Sequence, residues 1–452
     1  MPSALRQAVA PAYLLMCLVL GGSAQGIWSN MLLQLTGLAI IAWAAAAPTE
    51  HPLVKPAKQL FIILMVALVV VALQLIPLPG SVWPHLGGRD EIADGYRVLG
   101  IAVPTLTISL APYASIATLV TLIPAVAMLC AVVRLNAYRP SWLALALLAA
   151  TFAGILIGAL QVASADPRGS PWYFYPFSNF GFAVGFFANA NHMASLLVIS
   201  LPFLAALLAS GRSRNAQRYA TTIALAAGGA VVIVVGIALN KSLAGYGLAV
   251  PVFAASLLIV LPGRSRARPW ITLGAVALLV AAVTALALSP IGERSLETAS
   301  SVESRGAINA TTASATVDFL PFGSGLGTFR PVYKLYEDHD GIVTTVINHA
   351  HNDYAELALE TGLAGILLMV LFLVWWAAAA WRVWRLPDAS VYTRAASIAS
   401  AALLVHSVVD FPLRTAALSA CFAMCLGLLL ERRAPRKSEP SDLWPTRHVV
   451  LE

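Results

Sequence analysis

The chain contains 452 residues, of which 59% are hydrophobic and only 11% are charged, and its mean hydropathy is +0.80. Soluble domains carry about 25% charged residues, so the composition excludes a soluble globular protein and predicts an integral membrane protein. The formal net charge of +7 does not indicate nucleic-acid binding, because the basic residues concentrate in short segments between apolar runs. Four cysteines, all within apolar runs, indicate neither a disulfide framework nor a metal site.

A membrane-spanning helix needs roughly 20 mostly apolar residues, and the sequence contains twelve runs of about this size. The runs lie near residues 9–26, 31–47, 59–76, 112–133, 141–163, 189–210, 219–239, 243–261, 270–289, 362–381, 395–411 and 414–431. We therefore predict an all-α polytopic membrane protein with about 12 transmembrane helices. We expect the first run to be a retained span, because no small-residue cleavage pattern follows it.

Most of the 28 Lys and Arg residues lie at the chain ends or in the segments that follow even-numbered runs. Basic residues concentrate on the cytoplasmic side of a membrane, so we predict that both termini are cytoplasmic. The longest segment on the outer side then lies between the ninth and tenth runs. The chain divides into N-terminal helices with two outer loops (1–188), core helices (189–289), the large outer loop (290–361), C-terminal helices (362–431) and a cytoplasmic tail (432–452).

One polar stretch, residues 345–366, differs from the rest of this apolar chain. Asp353 followed three residues later by Glu356 is typical of a capping box, so we predict that a helix begins near Asp353. His349, His351 and Asn352 then approach the N-terminus of that helix, where free N–H groups and partial positive charge favour anions. The stretch is therefore a candidate site for an anionic substrate.

Polar residues also occur at the outer ends of other predicted spans, and we expect them to share one layer with His351. They are Asn189, Asn191 and His192; Asn240 and Lys241; and His406, Asp410 and Arg414. Ionisable groups near membrane spans are costly and usually face a cavity or a partner.

Simpler interpretations of these residues stay open. Lys241 could extend along a turn to reach the interface. His406 and Asp410 could form a structural pair one helical turn apart. Asn189 is predicted to cap the sixth helix, and Phe411-Pro412 is predicted to form a turn.

Two other patterns are weak indicators of a cofactor. His349-x-His351-x-Asp353 supplies too few ligands for a metal, so no metal site is predicted. The glycine-rich segment from Gly323 to Gly327 follows no βαβ pattern, so it is predicted to be a flexible turn after Pro321 rather than a dinucleotide site.

Several of these motifs together resemble the bacterial O-antigen ligase and polymerase superfamily of membrane glycosyltransferases. The resemblance covers roughly residues 180–430 and departs from the family at one position, where Lys241-Ser242 stands in place of a Ser-Arg pair. A cation is kept there, but bidentate phosphate recognition is lost. The motifs are His351-Asn352 followed by Gly362 and Gly365, Ser304-Arg305-Gly306, the glycine segment 323–327, Asn189-x-Asn191-His192, and His406 through Leu413.

The resemblance implies an enzyme that transfers a glycan from undecaprenyl diphosphate to a saccharide acceptor, such as lipid A core oligosaccharide. It implies a protein of the bacterial inner membrane, surrounded by membrane lipid, whose site faces the periplasm. It also implies that the protein uses no cofactor and no metal and binds no nucleic acid. The expected catalytic residues are His351, Arg305 and Lys241. The expected substrate-binding residues are Asn352, Asp353, Asn191, His349, Arg330, His406, Asp410 and Arg414.

Three functions remain open from the sequence. A ligase would join a finished glycan to lipid A core, whereas a polymerase would join repeat units to one another. The segment from His406 to Leu413 favours a polymerase, and the His351 motif is shared or favours a ligase. A lipid-linked glycan transporter without chemistry is the third, although it would require polar residues at mid-membrane depth.

Overall fold

A computed structural model describes residues 3–48, 52–261, 269–274, 277–278, 281, 305–337 and 346–430. Fifteen helices longer than six residues account for most of these residues, together with a two-strand hairpin (β1, Pro77–Leu78; β2, Leu106–Thr107). The helices are α1 (Ser3–Leu20), α2 (Ile27–Ala46), α3 (Lys55–Gln74), α4 (Asp90–Val98), α5 (Pro112–Thr121), α6 (Ile123–Leu129, continued by a π-helical turn over Cys130–Arg134), α7 (Pro140–Ala163), α8 (Ala190–Ser210), α9 (Ala216–Asn240), α10 (Leu243–Val260), α11 (Arg305–Phe319), α12 (Phe329–Tyr336), α13 (Asp353–Arg385), α14 (Val391–His406) and α15 (Ala416–Leu429).

Within the described ranges, eight helical segments are long and apolar enough to cross a membrane. They match the predicted second to eighth and tenth runs, with α5 and α6 forming one span over Pro112–Arg134. Helices α1, α14 and α15, with 18, 16 and 14 residues, occupy the positions of the first, eleventh and twelfth runs. Most of the predicted ninth run, the start of the large outer loop and the cytoplasmic tail lie outside the described residues. The all-helical membrane architecture is thus confirmed, while the count of twelve is not.

Two predicted run boundaries are wrong. The first run was placed at 9–26, but α1 ends at Leu20 because the chain then turns at two glycines in close contacts. A Cβ on Gly22 would lie 2.0 Å from the carbonyl oxygen of Phe186. The eleventh run was placed at 395–411, but α14 ends at His406 and a turn follows. Hydropathy misses both ends because the turns are themselves apolar or are flanked by apolar residues.

Helix α8 is the centre of the bundle and packs against α7, α9, α10 and α14. Its residues are apolar on every face, which is typical of a helix surrounded by protein. Leu196, Leu197 and Phe203 are fully buried there. The N-terminal helices pack closely on the C-terminal ones, α1 on α15 and α3 on α13. Helix α8 therefore holds its polar N-terminal end in the middle of one end of the bundle.

Helix α13 is broken one quarter of the way along by Gly362, whose backbone has φ 61° and ψ −151°. This left-handed region is readily adopted only by glycine. A Cβ at this position would lie 2.3 Å from the carbonyl oxygen of Pro321, and the next amide, Leu363 N, donates to the same oxygen at 2.9 Å. The break exists because the glycine segment after Pro321 inserts into the helix.

The inserted segment satisfies the carbonyls that the broken helix leaves without partners. Leu359 O accepts from Ser324 N at 3.0 Å, and Glu360 O accepts from Gly325 N at 2.9 Å and from Gln74 Nε2 at 2.8 Å. The glycine segment was predicted to be a flexible turn, but most of it is buried and hydrogen-bonded. It fixes the first two turns of α13 against α3 and α11, and these turns carry the polar residues described next.

Candidate active site

Helix α13 begins at Asp353, as predicted, but the residue that caps it is Asn352. Asn352 Oδ1 accepts from Tyr354 N and Ala355 N at 3.1 Å each. The predicted capping box is therefore wrong, since Glu356 does not return to the backbone of Asp353. Its carboxylate instead accepts from Ala350 N at 3.0 Å and contacts His349 Nδ1 at 3.0 Å. The cap leaves Asp353 and Glu356 free to form side-chain contacts outside the helix.

Arg414 pairs with three carboxylates that lie along one face of α13. Its Nε is 3.2 Å from Asp353 Oδ1, its Nη1 is 3.1 Å from Glu356 Oε1, and its Nη2 is 3.7 Å from Glu360 Oε2. The spacing of three and seven residues places the three carboxylates on the same side of the helix. A planar guanidinium with several donors suits such a multiple pairing better than an ammonium does. We call Arg414 and its three carboxylates the arginine cluster.

The arginine cluster fixes the loop from Ser407 to Thr415 against α13. Asp353 adds two hydrogen bonds: its N–H donates to Ser407 O at 2.9 Å and its Oδ2 accepts from Ser407 Oγ at 2.9 Å. Burial lowers the pKa of Arg414, but the charges of the three carboxylates outweigh that effect and raise the pKa above its ordinary value. Arg414 therefore stays charged. The turn predicted at Phe411-Pro412 is present as a 3-10 turn over Pro412–Arg414.

His351 lies just before α13 and makes a hydrogen-bonded pair with Asp410 of this loop. Its Nδ1 is 3.2 Å from Asp410 Oδ1, and its ring is 31% exposed while the carboxylate is fully buried. The backbone of His351 has φ 51°, an uncommon conformation for a non-glycine residue that often marks a functional constraint. With the proton on Nδ1 donated to Asp410, Nε2 carries a lone pair, which is the arrangement of a general base.

Asp410 is surrounded by three histidines. Burial raises the pKa of its carboxyl, but the hydrogen bond from His351 and the charges of His351, His192 and His406 outweigh burial and hold the pKa well below its ordinary range. His406, for which a structural pair with Asp410 was one open interpretation, instead forms its side-chain hydrogen bond with Ser195, whose Oγ lies 2.7 Å from His406 Nδ1. Helix α14 ends at His406, so Asp410 is no longer one helical turn along the same helix.

Three buried polar atoms around Asp410 have no hydrogen-bond partner among the described residues. They are Asp410 Oδ2, His406 Nε2 and His192 Nε2. Phe411 contacts two of these three histidines and also His349: its ring centroid lies 5.1 Å from that of His351, 5.2 Å from His192 and 4.2 Å from His349. We call Asp410, its three histidines and Phe411 the histidine cluster.

Arg305 joins the histidine cluster from α11. It is the first residue of that helix, and its Nη1 donates to Val409 O at 3.1 Å, next to Asp410 in the chain. Its charge also acts on His406. Helix α11 therefore brings a half-buried guanidinium beside the His351–Asp410 pair.

Lys241 lies at the edge of the same layer. It ends α9 with φ 58°, and its side chain is exposed. The next residue, Ser242, caps α10 by accepting from Gly245 N at 3.1 Å and donates to Asn191 Oδ1 at 2.7 Å. Asn189 caps α8, as predicted, by accepting from Asn191 N at 2.8 Å. Asn191 precedes His192, so a chain of contacts runs from Ser242 through α8 to Phe411 and His351.

Arg330 is separate from these groups. It lies on the exposed side of α12 and has no hydrogen bond or ion pair within the part of the chain that the structure describes. Lys334, one turn later, is exposed as well. The structure brings together the predicted site residues of α8, of α11, of the start of α13 and of the 407–415 loop. Lys241 lies beside this group, and Arg330 lies apart from it.

Sequence reasoning missed several residues that organise the site. Glu360, Ser195, Ser407 and Phe411 were not proposed as contributors, although each contacts a predicted residue. The sequence offered one signal for Glu360: Asp353, Glu356 and Glu360 are spaced so that they lie on a single face of the predicted helix. The described residues contain no group of three or more His, Cys, Asp or Glu side chains that could hold a metal ion.

Part of this site lies in a stretch of the sequence that matches a known protein family. Residues 228–370 match the model of a protein family described as O-antigen ligase. The match includes Lys241, Arg305, Arg330 and the His349–Asp353 segment, and it ends before Asp410 and Arg414. No protein of curated function matches the sequence.

Proposed function

We propose that this chain, whose residues 228–370 match a family described as O-antigen ligase, is a membrane glycosyltransferase that uses a polyprenyl diphosphate donor. The donor is a glycan on undecaprenyl diphosphate, and the acceptor is a hydroxyl of lipid A core oligosaccharide. The acceptor oxygen forms a bond to the anomeric carbon while the bond from that carbon to the phosphate oxygen breaks. The diphosphate leaves with the electron pair, and the acceptor proton passes to the enzyme. The phosphate linkage supplies the energy, so no nucleotide is required.

The observation that carries this proposal is the His351–Asp410 pair. A neutral imidazole has a suitable proton affinity for a general base near neutral pH. Asp410 accepts from Nδ1 at 3.2 Å and so orients Nε2, on a ring that is 31% exposed. In this proposal, Nε2 of His351 removes the acceptor proton and Asp410 stabilises the imidazolium that forms.

Cations beside His351 are suited to the leaving diphosphate. Positive groups aimed at charge that develops in the transition state accelerate a reaction more than groups that bind the ground state. Arg305 contacts the loop that carries Asp410, and the Ser242–Asn191 hydrogen bond holds Lys241 beside the same layer. We propose that Arg305 and Lys241 bind the diphosphate, in a metal-independent mechanism, and that Asn191 lies near enough to contact a sugar hydroxyl.

We propose positioning roles for the other residues. Arg414, Asp353 and His349 hold the 407–415 loop against α13, so they fix Asp410 and Phe411 relative to His351. Asn352 fixes the start of the helix through its cap. His406 joins α14 to α8 through Ser195, and its buried Nε2 has no hydrogen-bond partner among the described residues.

The proposed orientation places this layer at the periplasmic face of the inner membrane, with both termini in the cytoplasm. The support is the concentration of basic residues in the segments at the opposite end of the bundle. Lys55, Arg134, Arg212 and Arg382 lie at or beside helix ends there.

A polymerase that joins repeat units is the second candidate function. The segment from His406 to Leu413, which resembles polymerase members of the superfamily, contributes Asp410 to the histidine cluster. A polymerase would use the same donor and the same base, with a second lipid-linked glycan as acceptor.

A deletion strain distinguishes these functions through its surface glycan. Loss of all glycan from lipid A core, with accumulation of lipid-linked polymer, identifies a ligase. Loss of long chains, with a single repeat unit still attached to the core, identifies a polymerase. Accumulation of the lipid-linked glycan on the cytoplasmic side identifies a transporter and contradicts the proposed enzyme. Complementation with His351→Ala at matched expression tests whether the phenotype depends on chemistry.

A further inference from the structure

A long groove lies at the end of the bundle opposite the candidate active site. It has a volume of about 1460 Å³ and runs between the first half of α3 and the last half of α13. The groove exceeds the range of about 300–1,000 Å³ that is usual for sites of small molecules. Its inner floor is closed where Trp375, which is buried, donates from Nε1 to Pro56 O at 3.0 Å. The two helices are thus joined below an open, elongated channel.

The walls of the groove are apolar and exposed. Ile62 and Ile63 line it on α3, and Leu371 and Val374 line it on α13. Ile62 and Val374 are each 61% exposed, and Leu371 is 52% exposed. Residues of this type on a membrane-spanning helix contact hydrocarbon, so the groove is a recess in the lipid-facing surface.

The rim of the groove is cationic. Lys55 is the first residue of α3, and Arg382 lies in the last turn of α13, so both charges are at the same end of the groove. The helix N-terminus at Lys55 adds partial positive charge. Asp388 lies on the rim as well, so the lining residues that the structure describes carry one more cation than anion. The rim therefore favours an anion of single charge.

The dimensions of the groove match one leaflet of a bilayer. A helix rises 1.5 Å per residue, so Ile63 lies about 12 Å from Lys55 and Leu371 lies about 16 Å from Arg382 along their axes. Half of a hydrocarbon core of about 30 Å is about 15 Å. An occupant with an anionic head at the rim and a chain of one leaflet's length fits both the charge and the depth.

We propose that the α3–α13 groove is a binding site for a phospholipid with an anionic phosphodiester headgroup. The lipid comes from the leaflet opposite the candidate active site. Lys55 and Arg382 bind the headgroup phosphate, and an acyl chain lies along Ile63 and Val374. Because α13 carries the polar residues of the active site at its other end, the bound lipid supports the helix on which that site is built.

Native mass spectrometry of the purified full-length chain tests this site with two lipids of identical acyl chains. The chain is released from nanodiscs that contain equal amounts of phosphatidylglycerol and phosphatidylcholine. We expect the native chain to retain phosphatidylglycerol preferentially. In the Lys55→Gln/Arg382→Gln variant, retention of phosphatidylglycerol should fall by about 25-fold, because each basic side chain near an anionic headgroup contributes about fivefold. The matched control is Lys58→Gln/Arg385→Gln, which removes two neighbouring exposed cations that do not line the groove.

A second variant, Val374→Trp, fills the groove without removing a charge. We expect it to reduce retention of both lipids while the thermal stability in detergent stays close to that of the native chain, because Val374 is exposed. Equal retention of the two lipids by the native chain would overturn the proposal, as would equal effects of the test and control double variants. A dimer that Val374→Trp dissociates would overturn it too, since a second copy would then occupy this face.

Discussion

The loop from Ser407 to Thr415 carries two charged residues, Asp410 and Arg414, whose surroundings differ sharply. The arginine cluster is the more fully paired of the two, since one guanidinium meets three carboxylates and Glu356 is also held by His349 and Ala350. Its one exception among the described residues is Glu360 Oε2, which lies 3.7 Å from Arg414 Nη2 and makes no hydrogen bond. The histidine cluster is incompletely paired, since Asp410 Oδ2, His192 Nε2 and His406 Nε2 have no partner among the described residues.

This difference separates a structural role from a chemical one. Buried charges that are paired hold elements together, and the protein loses much stability when one partner is removed. Buried polar atoms without partners are costly, and a role in binding or catalysis is one physical reason for them to persist. We therefore expect the arginine cluster to determine whether the 407–415 loop folds against α13. We expect the histidine cluster to determine whether the protein transfers glycan.

Replacing Arg414 with Met should produce the largest effect. Three carboxylates would remain buried without their cation, and removing one partner of a buried ion pair costs about 3–5 kcal/mol. We expect a large fall in folded yield and in thermal stability in detergent, with loss of glycan transfer. Arg414→Lys should recover part of the stability, because charge returns without the planar fork. Normal stability of Arg414→Met would show that the cluster does not hold the loop.

His351→Ala should abolish transfer while the protein stays folded. A positioned general base contributes about 10²–10⁴-fold to a rate, and the ring is partly exposed, so its loss opens no deep cavity. The measurement is glycan transfer by purified protein in nanodiscs, with thermal stability recorded on the same sample. Retained transfer would remove His351 from the mechanism.

Arg305→Ala should lower the transfer rate by about 10²–10³-fold, the range for loss of one group that stabilises transition-state charge. Arg305→Lys should retain part of the rate, since the charge survives while the hydrogen bond to Val409 O is altered. Equal losses in the two variants would mean that geometry, rather than charge, accounts for the role of Arg305.

Asp410→Asn should lower the rate by about 10–100-fold, the range that applies to replacing the orienting partner of a metal-bound histidine. The amide keeps the shape of the carboxylate but can favour the wrong tautomer of His351 and cannot stabilise its charged form. The maximal rate should fall more than the affinity for donor. A variant that changes only the affinity for donor would assign Asp410 to binding instead.

Arg330→Ala should have the smallest effect. The side chain is exposed and has no hydrogen bond or ion pair among the described residues, and such substitutions change the free energy of unfolding by about 0.5 kcal/mol or less. We expect transfer to fall less than in any variant above. A loss as large as that of Arg305→Ala would instead place Arg330 on the substrate path.

The sequence by itself determined the helical membrane class and the layer in which the polar residues meet. Both follow from one-dimensional information: apolar runs of bilayer length specify spans, and alternation of spans places Asn191, Lys241, His351 and Asp410 at the same end of the bundle. The start of α13 at Asp353 was also predictable, although the cap was assigned to Asp353 and Glu356 instead of Asn352.

Only the tertiary structure decided which polar residues pair. His406 bonds to Ser195 of α8, Asp410 bonds to His351, and Arg414 reaches Glu360, and these partners are between 54 and 211 residues apart in the chain. Spacing along a helix predicts neighbours only within that helix, and α14 ends before Asp410. The pairing depends on the turn after His406 and on the break at Gly362, both of which arise from packing between distant segments.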